Sequence, residues 1–271
     1  MLREMPQGFA RALASAGILA ATFCLSLSVP QPAFAELSEE PMLGPGLRWR
    51  PAYDGSDSRR PELVPVVRYY GRHWFARSTQ GMLEGGARME LAPGLHAGAQ
   101  LAYESGRKAS ESDLLESRGM PDVKVGASLG AHLEWDHTIG PVPIALLVRA
   151  RRHTDADRGA QADLRLSVGV LRSGSFAAGV FTQATWASAK SADSFYGITL
   201  AQSASTGLPA FSAGSGWLYS SFGLLWSLDL SRNWIAVGNL EGRHLRGDAA
   251  RSPLAERASN YYVSAGIAYR F

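Results

Sequence analysis

The sequence predicts an all-β chain: an up-and-down antiparallel β-barrel that crosses a membrane with about twelve strands, ten being the alternative, and keeps both termini periplasmic. Three observations carry this. Polar and apolar residues alternate with period two from Leu43 to Phe271. The connections between alternating stretches are short and long in turn. An apolar leader precedes them, and the chain ends on an aromatic residue.

Composition excludes several other classes. Apolar residues make up 46% and aromatics 10%, too much for intrinsic disorder. The single cysteine, Cys24, cannot build a disulfide scaffold. A formal net charge of +3 is too small to suggest a nucleic-acid partner.

Residues 1–35 read as a cleaved signal peptide. Arg3 and Arg11 supply the positive start, Ala12 to Val29 the apolar core, and Pro30 and Pro32 break it. Ala33-Phe34-Ala35 forms a small-residue cleavage box. Processing would leave residues 36–271 as a barrel without cysteine. An uncleaved membrane anchor is the competing reading.

The predicted strands follow in order: 43–53, 63–70, 73–79, 83–91, 95–103, 123–136, 142–152, 160–172, 176–187, 218–230, 234–245 and 261–271. The clearest is the sixth. Val123, Val125, Ala127, Leu129, Ala131, Leu133 and Trp135 alternate with Lys124, Gly126, Ser128, Gly130, His132 and Glu134. A helix cannot separate these sets, whereas a strand puts them on opposite faces. The eighth, tenth and twelfth repeat the pattern. Most segments run about 9–13 residues, the length of a tilted transmembrane strand rather than of an ordinary globular one. A secreted β-sandwich also alternates, but its strands are shorter.

The connections sort by parity. The second, fourth, sixth, eighth and tenth are turns, at 71–72, 92–94, around 140–141, 173–175 and 231–233. The odd ones, 54–62, 104–122, 153–159, 188–217 and 246–260, are long, and only 80–82 is short. Outer-membrane barrels have short periplasmic turns and long outer loops. The loop 188–217, with Phe195, Tyr196 and Phe211, is the best candidate to fold inward.

In lipid every backbone polar group needs an internal partner, so the apolar set should face lipid and the polar set a lumen. The predicted lumen-lining residues are Arg48, Arg50, Arg88, Glu90, Gln100, Lys124, His132, Glu134, Arg149, Arg151, Asp163, Arg165, Asp229, Glu241, Arg243 and Arg270. Both signs are present, and counting back from the loop 153–159 sets Arg149 opposite Asp163 or Arg165, which allows an Arg149–Asp163 ion pair. A twelve-stranded lumen is wider than one that side chains fill and narrower than an open porin. It would either close through Arg–carboxylate pairs or keep a narrow wet path. Trp49, Tyr53, Tyr103, Trp135, Trp186, Trp234, Tyr261 and Tyr269 fall near strand ends, where they would form interfacial girdles.

No catalytic constellation stands out. His153 lies near Asp155 and His244 near Asp248, but no G-x-S-x-G elbow occurs. His73, His96, His132 and His137 lack metal-ligand spacing. The expectation is no enzyme, no metal and no cofactor.

Several segments resemble the MipA/OmpV family of outer-membrane proteins. Tyr53-Asp54-Gly55-Ser56 resembles its Y-x-G-S segment. Leu101, Tyr103, Gly106 and Arg107 resemble L-x-Y-x-x-G-R, and Gly247-Asp248-Ala249 with Ser252-Pro253 resembles G-D-A-x-x-S-P. The ending Tyr269-Arg270-Phe271 is similar to the terminal signal read by the barrel-assembly machinery. The resemblance implies the outer membrane of a Gram-negative bacterium. For one branch it implies a non-enzymatic scaffold that meets a murein-lytic transglycosylase and a murein synthase. Other members are described as porin-like or adhesin-like, so a narrow pore for small polar solutes is the alternative reading. An outer-membrane hydrolase is the weaker one.

Overall fold

The computed structural model describes residues 40–271, and the expected signal peptide lies outside the described residues. Twelve antiparallel strands close into a barrel. They are β1 Met42–Pro51, β2 Arg59–Tyr70, β3 Trp74–Thr79, β4 Met82–Ala92, β5 Leu95–Glu104 and β6 Gly126–Ile139. The second half comprises β7 Val142–His153, β8 Ala160–Ser173, β9 Phe176–Ala187, β10 Gly216–Asp229, β11 Trp234–Leu245 and β12 Ser259–Arg270. Each pairs with its sequence neighbours, and β1 closes on β12.

The alternation does what the sequence predicts. On β6, Leu129, Leu133 and Trp135 are exposed on the outer wall, while Ser128, His132 and Glu134 are buried within. Trp49, Tyr103, Trp186 and Tyr261 ring the wall near the loop-bearing end. Tyr69, Trp74, Trp234 and Tyr269 ring it near the end with the short turns, and all are exposed. Trp234 and Tyr269 meet edge to face, with centroids 5.3 Å apart. Such amphipathic rings suit the two interfaces of a bilayer.

Two predicted positions need correction. β1 ends at Pro51, because the chain turns back at once: Ala52 N–H donates to Ser58 O (2.9 Å) and Ser56 N–H to Tyr53 O (3.0 Å). Tyr53 is therefore buried among the loops, outside the girdle. β6 starts at Gly126, because Val123 is held in a separate two-way bridge with Arg107 (2.8 and 2.7 Å). Lys124 is consequently exposed on a loop and does not line the lumen.

The closing seam is crowded. A Cβ built on Gly44 would overlap Ile267 O and lie 2.6 Å from the Ala268 Cα. Only a glycine lets β1 approach β12 this closely.

A second irregularity shapes the interior. β3 has six residues and pairs with β2 only from Arg68↔Arg77 to Tyr70↔Phe75. Beyond that point the β3–β4 hairpin leaves the wall and bends inward. Its tip places Gln80 Nε2 3.0 Å from Glu241 Oε1 on β11, across the inner faces of β1 and β12. Gly81, at φ +81°, makes the turn against the Arg48 guanidinium. This accounts for the one loop-end connection that is short. On its β3 side, β2 from Arg59 to Val66 has no strand partner, and Val67 N–H is satisfied instead by Ser78 Oγ at 3.0 Å.

Candidate functional site

The interior is built from four parts: a layer of ion pairs, the inward hairpin, a chamber beyond it and a cap of loops. The ion-pair layer runs continuously from β3 to β8. Arg77 Nε donates to Glu84 (2.6 Å), and its Nη1 reaches Glu134 (2.9 Å). Arg149 joins Glu84 (2.9 Å) to Asp163 (2.7 Å). Arg151 joins Asp163 to Glu104, the latter at 2.8 Å. Neutral groups complete the set. Gln100 Nε2 donates to Glu84 (2.7 Å), His132 Nδ1 lies 2.6 Å from Gln100 Oε1, and Thr185 Oγ1 donates to Asp163 (2.8 Å). Arg149, at 1% exposure, is among the most buried side chains of the chain. The predicted Arg149↔Asp163 pairing is the observed register. Charges this far from water hold together only when each is paired and hydrogen-bonded.

The opposite wall carries a smaller network. Arg243 donates to Glu241 (2.7 Å) and Asp54 (3.2 Å), and Tyr262 OH donates to Asp54. Arg50 forms a fork onto Glu62 (2.7 and 3.1 Å) and also caps Pro51 O and Ala52 O. Arg165 lies over the Phe181 ring at 3.9 Å. Of the predicted lumen residues, Arg48, Arg50, His132, Glu134, Arg149, Arg151, Asp163, Arg165, Glu241 and Arg243 thus share one interior.

The motif residues build the cap. Tyr53 OH donates to Leu254 O (2.7 Å), and Gly55 N–H donates to Asn260 Oδ1 (2.6 Å). Ser56 Oγ donates to Glu256 (3.3 Å), and Ser252 Oγ to Tyr196 O (2.7 Å). Arg107 reaches Phe195 O, and Asp248 accepts from Gly214 N–H (2.7 Å). Gly106 sits against Val123 O in the Arg107–Val123 bridge, and Gly247 opens the short helix Gly247–Arg251, with Pro253 just beyond it. The loop 188–215 folds over the mouth as two helices, Ala189–Tyr196 and Leu200–Thr206, the second with a Thr199–Gln202 capping box. Beneath them Tyr53, Leu115, Met120, Ile198 and Leu254 form an apolar core. Burial, and then Glu256, pushes the Tyr53 hydroxyl up to about 12. Burial, and then Asp54, raises the Tyr196 hydroxyl well above its ordinary value.

Sequence reasoning missed Arg77 and Glu84, the centre of the ion-pair layer. Glu84 shares its parity with Arg88 and Glu90 on one strand, and that signal would have placed it inside. Arg77 is masked because Phe75, two residues before it, is also buried inward and blurs the alternation.

A family model described as MltA-interacting protein MipA matches residues 43–271. No curated protein matches. Among solved structures, an outer-membrane channel of Pseudomonas putida F1 is similar at TM-score 0.50 and 9% identity, over 90% of this chain and 100% of that chain. LpxR from Salmonella typhimurium is similar at TM-score 0.47 and 7% identity, over 84% and 100%. The NanC porin stands at 0.46 and 11%, over 85% and 100%. A closed twelve-stranded wall with two aromatic girdles, and a family match over nearly all the described residues, together show that the chain is an outer-membrane β-barrel belonging to the MipA family.

Proposed function

We propose that this barrel is a closed, non-enzymatic platform in the outer membrane that holds murein-processing enzymes at its periplasmic end. The observation that carries the reading is the double closure: an ion-pair layer along β3–β8 with the inward hairpin set against β11, and a packed loop cap above them. A diffusion pore needs an unobstructed path, and this interior spends its charges on one another. The lumen carboxylates Glu84, Glu134, Asp163 and Glu241 are each held by a guanidinium, which leaves them poorly placed for acid–base chemistry. The family model's description, MltA-interacting protein, supports a murein-processing enzyme as the partner class, and the sequence resemblance adds a murein synthase as a second candidate.

On this reading the end with the short turns faces the periplasm. Single cysteines at Glu116, Ser205 and Arg251, all exposed at the loop end, should react with an impermeant thiol reagent on intact cells. Cysteines at Arg72, Ser173 and Arg232 should react only after the outer membrane is opened. The reverse pattern would invert the barrel.

The periplasmic turns present Arg72, Arg172 and Arg232, all exposed. Immobilised barrel should retain purified transglycosylase, and a variant with all three changed to glutamate should retain at least about tenfold less. The wild type should be silent in planar bilayers. Steady conductance together with no retention would favour the pore.

A further inference from the structure

The chamber between the hairpin tip and the cap has a volume of about 170 Å³. Its floor is Gln80 and Gly81. Its walls include Arg48, Tyr219, Arg243 and Tyr262. Its acceptors are already engaged. Asp54 takes Arg243 and Tyr262, Glu241 takes Gln80 and Arg243, and Glu104 takes Arg151 and Ser128.

Arg48 is the exception on the donor side. It is 8% exposed, yet among the described residues no carboxylate lies within ion-pair distance of it and no acceptor takes its guanidinium hydrogens. Its one close partner is the Tyr262 ring, 4.6 Å from the guanidinium carbon. A second guanidinium, Arg243, lies 4.3 Å from the centroid of the same ring. The Arg48 nitrogens are not sealed in protein: the side chain lines the chamber, where an acceptor from outside the protein can meet its donors.

We infer that this chamber is a binding site for a small organic carboxylate, with Arg48 as its anchor. A carboxylate presents two acceptor oxygens in the plane that a guanidinium fork matches. The tyrosine rings beside it offer apolar faces for the body of the ligand, which places an unsaturated or ring-bearing acid ahead of an inorganic anion. Volume sets the size. A cavity of about 150 Å³ accepts benzene, so the ligand has roughly six to nine heavy atoms.

A route is present. A second cavity of about 70 Å³ shares Glu104, Ser105, Arg151 and Phe195 with the chamber and is lined by Arg158 toward the loop end. Arg158 stands over the Phe195 ring at 5.3 Å, so a second guanidinium borders that smaller cavity. The site is independent of any murein partner, because it lies on the loop side of the ion-pair layer, away from the short turns.

The test uses purified, folded barrel in detergent and measures binding of benzoate by calorimetry, with neutral benzamide as the isostere. Wild type should bind benzoate saturably, and benzamide at least about tenfold more weakly. Arg48→Gln should lose at least about tenfold for benzoate and little for benzamide. Arg48→Lys, which keeps charge without the fork, should fall between, and it serves if Arg48→Gln does not fold. The absence of saturable benzoate binding by wild type would overturn the proposal and leave Arg48 solvated by water alone. So would equal affinity for benzoate and benzamide, or undiminished benzoate binding by Arg48→Gln.

Discussion

Replacing Gly44 with valine is expected to prevent the barrel from closing. By strand propensity alone the change should help, since β-branched residues suit a strand. Space decides otherwise. The new Cβ would overlap Ile267 O and crowd the Ala268 Cα, both main-chain atoms of β12 that cannot swing aside. β1 and β12 form the one pairing that joins the two ends of the sheet, so pushing them apart exposes two edges to lipid, each unsatisfied group there costing several kcal/mol. The expected result is loss of most of the fraction that keeps folded mobility on unheated detergent gels. Gly216→Ala is the control, because a Cβ there meets nothing within 4 Å. Wild-type folding of Gly44→Val would show that the seam can yield.

The second large effect is expected at Glu84. This fully buried carboxylate binds Arg77, Arg149 and Gln100 together. Glu84→Ala would leave those donors facing a void. Removing one partner of a buried ion pair costs about 3–5 kcal/mol, because the remaining charge stays buried without compensation. The urea midpoint in detergent should fall accordingly. Glu84→Gln should lose less, since it keeps an acceptor for one guanidinium. Arg149→Met should couple to it: the double variant should lose clearly less than the sum of the two single losses. A loss below about 1 kcal/mol for Glu84→Ala would mean that water enters the lumen freely.

Much of this architecture is legible from residue parity. From the sequence alone Arg149 could be set opposite Asp163 or Arg165 on the same face, because period two fixes the face and the loop between β7 and β8 limits the register; the observed partner is Asp163. The same rule fails at Lys124. Alternation continues through Val123 and Val125, but a bridge to Arg107 from a distant part of the loop takes that stretch out of the sheet. Long-range pairings of this kind leave no local trace. The cap is hidden for a similar reason. Tyr53 looks like a girdle residue by position, and only its packing against Leu115 and Leu254 shows that it belongs to the loops. The inward hairpin announces itself only as one connection that is too short for its side of the barrel.

That hairpin has a cost for the wall it leaves. A sheet edge facing lipid or a neighbouring molecule invites another strand to add to it. β2 answers with its composition. Val67 N–H points toward β3, so the odd-numbered main-chain nitrogens of β2 face the vacated side. Two of those positions are Pro61 and Pro65, which carry no hydrogen to donate. The facing pair Pro45↔Pro65 fits the same geometry, since neither residue can donate toward the other. Above them Arg60 is drawn to Glu111, so the loop 105–125 is tied across the gap. The vacated border is thus a poor template for zippering: a second barrel meeting it in a crowded membrane finds too few donors to form a ladder, and the protein can leave this stretch of β2 unpaired on one side without joining its neighbours through it.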